Sequence, residues 1–285
     1  MQQTSPHKPI IAKENTAVKY LRSLFDSKTR KKERAFLIEG TKIVEDALRD
    51  DLNVAMVVAT PDLVRHHGKG ILKQAESKSV KILWISRQLM DAISESKTPQ
   101  PVMAVARMKQ FSGDDLLDNN AGLIIIAHQL QDPGNLGSII RTAEAVGASG
   151  VAITSNTVDP FNAKTIRASM GSILRLPLVH IGDGTAFIKA SRQKKFQTVA
   201  TMVTGKQTHF DVDLTKPTVV ILGQEGTGLP QDISADVDLF VRIPMSKSID
   251  SLNVSVAAAV VLYETMRQRF YINQDEIPTF LAKRA

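Results

Sequence analysis

IPMSKSIDSLNVSVAAAVVLYE, Ile243 to Glu264, joins a strand to a polar loop and that loop to a helix, and the fold of the chain turns on this junction. Leu239, Val241 and Ile243 alternate as a strand does, Pro244 interrupts the pattern, and Val254, Ala257, Ala258, Val261 and Leu262 recur at helical spacing. Ser251 or Asn253 caps the predicted helix, which sets side-chain oxygens and amides beside backbone N–H groups that no helical carbonyl satisfies. Such a helix start suits a polar ligand, though taken alone it is also an ordinary capped helix.

Two earlier stretches have the same character. QDPGNLGSIIRTAEAVGA, Gln131 to Ala148, is expected to be a loop carrying Pro133, Gly134, Asn135 and Gly137 and then a helix. Ile139, Ile140, Ala143 and Val146 form its apolar face, and Asn135 and Arg141 fall on its ligand side. In isolation GNLG is a helix cap and Arg141 a surface cation. TVVILGQEGTGLP, Thr218 to Pro230, is a β-branched strand running straight into a loop with Gly223, Gly226 and Gly228, where the backbone must come close to something. It is neither a dinucleotide fingerprint nor a P-loop: the Lys-Ser/Thr ending is missing, and it stands late in its domain. Glu225 disfavours a phosphate ligand, since a carboxylate would repel it; the plain alternative is a glycine-rich turn with a solvated glutamate.

At 285 residues and 43% hydrophobic content the chain is long enough for two domains with real cores, at about 100–200 residues per domain. No window reaches about 18 uninterrupted apolar residues, and the opening MQQTSPHKPI lacks the apolar core of a signal peptide, so a cytoplasmic location with no membrane partner is expected. Zero cysteine excludes disulfides and thiolate chemistry. It also removes the strongest zinc patterns, and His7, His66, His67, His128, His180 and His209 show no ligand-like spacing beyond the adjacent pair, so they read as structural or surface residues and no metal is expected.

A net charge of +7 favours a polyanionic partner, and residues 1–34 hold nine Lys or Arg against three acids, a net +6. Asn15 caps a predicted amphipathic helix with Val18, Leu21, Leu24 and Phe25 inward and Lys19 and Arg22 outward. KTRKKER, Lys28 to Arg34, then reads as a solvated loop or as a phosphate-contacting run that gives salt-dependent affinity without reading sequence.

From Ala35 to Arg107 strand and helix alternate: Phe36–Ile38 extended, Thr41–Arg49 helical, Val54–Ala59 extended, Gly70–Glu76 helical, Val80–Ile85 extended, a helix capped by Ser86 through Ile93, and Val102–Ala106 extended. Trp84, the only tryptophan, belongs to the core. The expected domains are 14–107, a linker over 108–120 with Gly113, three aspartates and paired asparagines, a second domain over 121–270 opening on the apolar strand GLIIIAHQL, and a tail over 271–285. Within the second domain, strands at Val151–Thr154 and Thr198–Val203 enclose a helical segment, Ala163–Leu174.

Taken in order, DPGNLGSIIRTAEAVGA, ILGQEGTGLP and IPMSKSIDSLNVSVAAAVVLYE closely resemble the three motifs of the SpoU (TrmH) family of RNA ribose 2′-O-methyltransferases. The resemblance covers the second domain. The first, with FLIEGTKIVEDAL, is similar to the family's small N-terminal α/β RNA-binding domain. It implies a SPOUT-type parallel α/β domain whose C-terminal segment forms a trefoil knot, which no rule of periodicity would supply. It further implies S-adenosylmethionine bound at the knot, a homodimer through the C-terminal domain in which first-motif residues complete the partner's site, and structured RNA, chiefly ribosomal RNA of the 23S type, as substrate. tRNA ribose methylation, methylation of a base nitrogen, and a catalytically silent RNA-binding or ribosome-assembly factor are the alternatives.

By position in the motifs, the resemblance assigns Gly223, Ile243 and Leu252 to backbone contacts with the cofactor, and Thr201, Met202 and Gly205 to the adenosine pocket. Asn135 orients the ribose or phosphate, Glu225 fixes the loop or target nucleotide, and Ser251 with Asn253 orders the reacting groups. Arg141 matches the family's essential arginine. A guanidinium in a protein stays protonated, so a phosphate clamp or a stabiliser of a developing alkoxide suits it better than the role of base.

Overall fold

A computed structural model of the chain describes residues 6–50, 52–65, 68–118, 122–224, 228–246 and 248–272. Glu225, His66, His67 and all but the first two positions of the expected tail lie outside the described residues. The chain divides into two compact units. One holds the described residues up to Lys109 with Phe161–Arg167, the other those from Gln110 to Pro160 and from Ala168 onward.

The first unit begins with α1 (Thr16–Ser23), where the Asn15 side chain accepts from the Ala17 N–H at 2.9 Å and Val18, Leu21 and Leu24 are buried, as the apolar spacing predicts. KTRKKER is not a loop: it lies almost wholly in α2 (Ser27–Glu33), capped by Asp26, which accepts from the Thr29 N–H at 2.8 Å. The helix carries no apolar stripe because its inward residue is a cation. Arg30, 4% exposed, donates to the Leu24 and Phe25 carbonyls at 2.9 and 2.7 Å, while Lys28, Lys31 and Lys32 are exposed. Then follow β1 (Ala35–Glu39), α3 (Thr41–Arg49), β2 (Val54–Ala59), α4 (Lys69–Ser77), β3 (Lys81–Trp84), α5 (Arg87–Ile93) and β4 (Val102–Arg107), in the expected alternation. Among the described residues they form a four-stranded sheet in the order β1-β4-β2-β3, with β4 antiparallel to both neighbours and β3 parallel to β2. Trp84 is buried.

The second unit opens inside the expected linker. α6 (Gly113–Leu117) is held by a capping box in which Ser112 and Asp115 bond each other's backbone, and its Leu116 and Leu117 are buried in the core. Next come β5 (Leu123–Ala127), α7 (Pro133–Ala145), β6 (Gly150–Thr154), α8 (Ala163–Ala168), of which 163–167 group with the first unit, and β7 (Leu178–Gly182). α9 (Gly184–Gln193), β8 (Gln197–Thr201), β9 (Gln207–Thr208), β10 (Thr218–Leu222), α10 (Gln231–Ser234), β11 (Leu239–Arg242) and α11 (Val254–Ile272) complete it. The predicted helix over 163–174 is broken, because Met170 and Gly171 take positive φ of 48° and 89° before a short 3-10 turn. β7 and α9 were not expected from the sequence, although Asp183 caps α9 at the Thr185 N–H.

The strands form a parallel sheet in the order β7-β6-β5-β10-β8-β11-β9. Because side chains alternate along a strand, Ile125 and Val220 face one helical layer with Ile139 and Ile140 of α7 and Val261 and Leu262 of α11. Ile124, Ile126, Val219 and Ile221 face another with Leu116, Phe187 and Ile188. Each fully buried aliphatic side chain contributes about 1.5–3 kcal/mol. The continuous apolar strands at 123–127 and 218–222 are therefore central by necessity. The order places β8 between β10 and β11, so the loops leaving the carboxyl ends of these three strands are brought together.

Candidate active site

Those three loops and the start of α11 enclose a cavity of about 520 Å³, within the usual range for a small-molecule site. Thr201, Met202, Val203 and Thr204 come from the end of β8, Gly223, Gln224 and Gly228 from the end of β10, and Val241, Ile243 and Met245 from β11 and beyond. Ser251, Leu252, Asn253, Val254 and Ala257 close it. In an open parallel sheet this is where ligands bind, outside the carboxyl ends of strands whose order crosses over.

The β8 loop is pinned to β11: the Met202 N–H donates to the Val241 carbonyl at 2.9 Å, and the Gly205 N–H to the Met202 carbonyl at 3.1 Å. Gly205 does not line the cavity. A Cβ there would stand 2.6 Å from the Val241 carbonyl carbon, and Arg242 donates to the Gly205 carbonyl at 2.9 Å, so this glycine permits the close approach of the loop to β11. The β10 loop has a narrow neck, where the Gly228 N–H donates to the Gln224 carbonyl at 3.0 Å and Gly228 takes a φ of 71°. A Cβ on Gly223 would lie 2.7 Å from the Gly228 carbonyl carbon and oxygen. The backbone that Gly223 must accommodate is therefore that of Gly228.

At the third loop the helix cap is Asn253, not Ser251. The Asn253 Oδ1 accepts from the Ser255 N–H at 2.9 Å, and its carbonyl accepts from the Val256 and Ala257 N–H groups. Asn253 also reaches across to α7, its Nδ2 donating to Asn135 Oδ1 at 3.0 Å. Asn135 is presented from a helix, not from a loop as its glycine neighbours suggested: α7 starts at Pro133, and Asp132 caps it by accepting from the Asn135 N–H at 2.9 Å. Asp-Pro is a helix-start signal, with proline at the first helical position where no N–H is needed. Asn135 and Arg141 do not share a face, since residues six apart on an α-helix are turned by about 240°. Arg141 is exposed and outside the cavity lining.

Thr201, Met202, Gly223, Ile243, Leu252, Ser251 and Asn253 thus border one cavity, Asn135 joins it through Asn253, and Gly205 supports it from behind. Thr204, Gln224 and Met245 are lining residues that the motifs did not single out. None of the described lining residues is acidic or basic. Val241, Ile243, Leu252, Val254 and Ala257 offer apolar surface to a planar base, and Thr201, Thr204, Ser251, Asn253 and the loop backbones offer hydrogen bonds. This mixture fits a nucleoside-bearing cofactor such as S-adenosylmethionine.

Among the described residues no group of three or more His, Cys, Asp or Glu could hold a metal ion, and no helix is long and apolar enough to cross a membrane. His128, just beyond β5, is buried, and neither ring nitrogen has a hydrogen-bond partner among the described residues. Burial pushes its pKa below the usual histidine range, with the charge of Asp232 opposing.

The description of the SpoU rRNA methylase family matches residues 122–263, and that of the MRM3-like substrate binding domain matches residues 15–104. The chain is 33% identical to an uncharacterized tRNA/rRNA methyltransferase, slr1673, of Synechocystis sp., over 94% of this chain and 96% of that protein. It is 30% identical to the 23S rRNA (guanosine(2553)-2′-O)-methyltransferase RlmP of Bacillus subtilis, over 90% and 98%. The crystal structure of an AdoMet-bound rRNA methyltransferase from Sinorhizobium meliloti superposes with a TM-score of 0.80 at 31% identity, covering 91% of this chain and 97% of that one. A cavity built where three parallel strands end, bridged to the first turn of α7 by an amide pair, is thus set in a chain similar to these enzymes along nearly its whole length, and the chain belongs to the SpoU family of RNA methyltransferases.

Proposed function

We propose that this chain methylates a ribose 2′-hydroxyl of ribosomal RNA, of the 23S type, using S-adenosylmethionine, in the cytoplasm and as a homodimer. The observation that carries the reading is the Asn135–Asn253 hydrogen bond at the cavity, because it brings the first and third motifs, 118 residues apart, to one place. The similarity to the Bacillus 23S rRNA 2′-O-methyltransferase and to the AdoMet-bound rRNA methyltransferase of Sinorhizobium supports ribosomal RNA, the 2′-oxygen and the cofactor.

When bound, S-adenosylmethionine supplies a methyl group already activated on a sulfonium, so the protein's work is alignment, proton management and exclusion of water. Gly223, Ile243 and Leu252 hold the cofactor through backbone groups, and Thr201 and Met202 border its adenosine end. Ser251 and Asn253 order the reacting groups, Asn135 grips the target sugar or its phosphate, and Glu225 fixes the loop or the target nucleotide. Arg141 clamps a phosphate. Its exposed position away from the cavity of its own chain supports service to the partner subunit's site. An exposed stripe of Val256, Tyr263 and Phe270 at seven-residue spacing on α11 supports pairing through the second unit. The C-terminal segment of the second unit forms the trefoil knot that the family resemblance implies, and the first unit holds RNA through its exposed lysines.

The test is transfer of labelled methyl from S-adenosylmethionine to RNA from cells lacking the gene. Label in large-subunit ribosomal RNA is expected. Label confined to tRNA would move the substrate, and cofactor binding with no transfer to any RNA would leave a binding protein.

A further inference from the structure

We infer that Arg242, which no motif assignment uses, is a positioning residue for the cofactor: its guanidinium holds the Met202–Lys206 turn in the shape that makes one wall of the cavity. That wall is Thr201, Met202, Val203 and Thr204, and Val203 and Thr204 are exposed, so little packing fixes them. Backbone bonds tie the turn at both ends. Before it the Met202 N–H donates to the Val241 carbonyl at 2.9 Å, and after it β9 pairs with β11, Gln207 beside Val241 and Thr208 beside Arg242. Between those ties Arg242 Nη1 donates to the Gly205 carbonyl at 2.9 Å and to the Lys206 carbonyl at 2.8 Å. A guanidinium only donates and a carbonyl only accepts, so the sense of both bonds is set by the groups themselves.

One nitrogen thus gathers two successive carbonyls and orients two successive peptide planes. The Gly205 N–H is bonded in turn to the Met202 carbonyl at 3.1 Å, so the orientation given to Gly205 is passed back across Val203 and Thr204, which line the cavity. The next turn has a separate fastening. There the Asp211 carboxylate accepts from the Thr208 hydroxyl at 2.7 Å and the Thr208 N–H at 2.9 Å, and these bonds first, then the nearby charge of Arg242, hold its pKa below the usual carboxylate range. If the guanidinium is removed, the ties at both ends survive, but the turn between them samples several shapes, of which one makes the wall. Apparent affinity then falls with the fraction of molecules that hold that shape. A bound cofactor selects the same shape again, so transfer from the loaded site is unaffected.

This rests on the S-adenosylmethionine reading above, so the experiment carries one readout that needs the cofactor and one that does not. Arg242→Met keeps the aliphatic stem and removes every side-chain donor. It should raise Kd and KM for S-adenosylmethionine by roughly three- to twentyfold, the order expected for losing charged hydrogen bonds at a partly exposed site, and leave kcat at saturating cofactor within about twofold. Arg242→Lys, whose single nitrogen can also donate to two carbonyls but is one bond shorter in reach, should recover part of the affinity. Arg192 is the control, since it pairs with Asp238 at 3.0 Å beside the opposite end of β8, where Asp238 also holds Thr198; Arg192→Ala should leave Kd unchanged. In the absence of cofactor, backbone amides of 202–206 should exchange with solvent faster in Arg242→Met than in the unaltered protein, and no faster in Arg192→Ala. Wild-type Kd in Arg242→Met, a loss confined to kcat, an equal loss in Arg192→Ala, or unchanged exchange would each overturn the inference. If the unaltered protein binds no S-adenosylmethionine, the cofactor reading fails, and amide exchange alone decides whether Arg242 holds the turn.

Discussion

Replacing Gly223 by alanine should cost cofactor affinity by closing the neck of the β10 loop against itself. The added Cβ would sit 2.7 Å from the carbonyl carbon and oxygen of Gly228 and 3.0 Å from Leu229 Cγ, whereas ordinary contact begins at 3.4 Å. Gly228 must then withdraw by about 0.7 Å, enough to stretch its 3.0 Å hydrogen bond to the Gln224 carbonyl beyond useful length. Overpacking of this kind costs about 1–3 kcal/mol. Gly223, Gln224 and Gly228 all line the cavity, so the shift falls on the binding conformation of the loop. At about 1.4 kcal/mol per tenfold, Kd for S-adenosylmethionine should rise roughly five- to hundredfold. Titration calorimetry reads it directly. Gly182→Ala is the control: its positive φ of 63° means the added Cβ strains the backbone, but that Cβ meets none of the described residues within 4 Å, so it should leave the loop untouched. Wild-type affinity in Gly223→Ala would refute the reasoning, as would an equal loss in Gly182→Ala.

Arg141→Ala should leave Kd for S-adenosylmethionine within twofold and stability within about 0.5 kcal/mol, since the residue is exposed and lines no part of the cavity, yet reduce turnover severely. Mixed dimers of Arg141→Ala with Gly223→Val should regain one working site, and a fully active monomer in solution would contradict the partner role. In the first unit, replacing exposed Lys28, Lys31 and Lys32 by alanine should flatten the salt dependence of RNA binding, by about 0.7–0.9 in slope for every phosphate that is no longer neutralised; an unchanged slope would make them ordinary surface lysines. Arg30→Ala should instead destabilise the fold by about 1.5–3 kcal/mol, because it removes charged hydrogen bonds to two carbonyls, and denaturant unfolding measures that. His128 gives a pH dependence. Its folded pKa lies below the unfolded value near 6.5, so above that pH both states are neutral there. As pH falls from 6.5 the unfolded chain takes the proton first, and stability drops until the folded pKa is passed. The slope should approach about 1.4 kcal/mol per pH unit and be shallower in His128→Leu; identical slopes would acquit the residue.

What the sequence made legible, and what it did not, divides along physical lines. Strands and helices with a buried apolar face, from β1 to β4 and at β5, β10 and α11, declare themselves through periodicity, and their observed limits differ little from those expected. α2 did not, because its inward residue is Arg30 and a charge run has no hydrophobic period. α6 hid in an Asp-rich stretch whose Ser112–Asp115 capping box was the available signal. The start of α7 was misplaced because Gly134 and Gly137 read as loop while Asp132 and Pro133 marked a helix start. Strand order is a different matter. Periodicity says that 197–201, 218–222 and 239–242 are strands but not that the first lies between the other two, and the cavity exists only because it does. Asn253 as helix cap could be read locally, whereas its bond to Asn135 needed the fold.

Whether the acceptor atom is a ribose 2′-oxygen, on which the proposed function turns, can be tested on the product. RNA methylated by the purified protein with labelled S-adenosylmethionine would be hydrolysed in alkali. That reaction proceeds through attack by the 2′-hydroxyl, so a methylated 2′-oxygen protects its own linkage. With the 2′-oxygen as acceptor, the label should emerge in alkali-resistant dinucleotides and, after complete enzymatic digestion, in a 2′-O-methylnucleoside. Label recovered in alkali-released mononucleotides carrying a methylated base would contradict it.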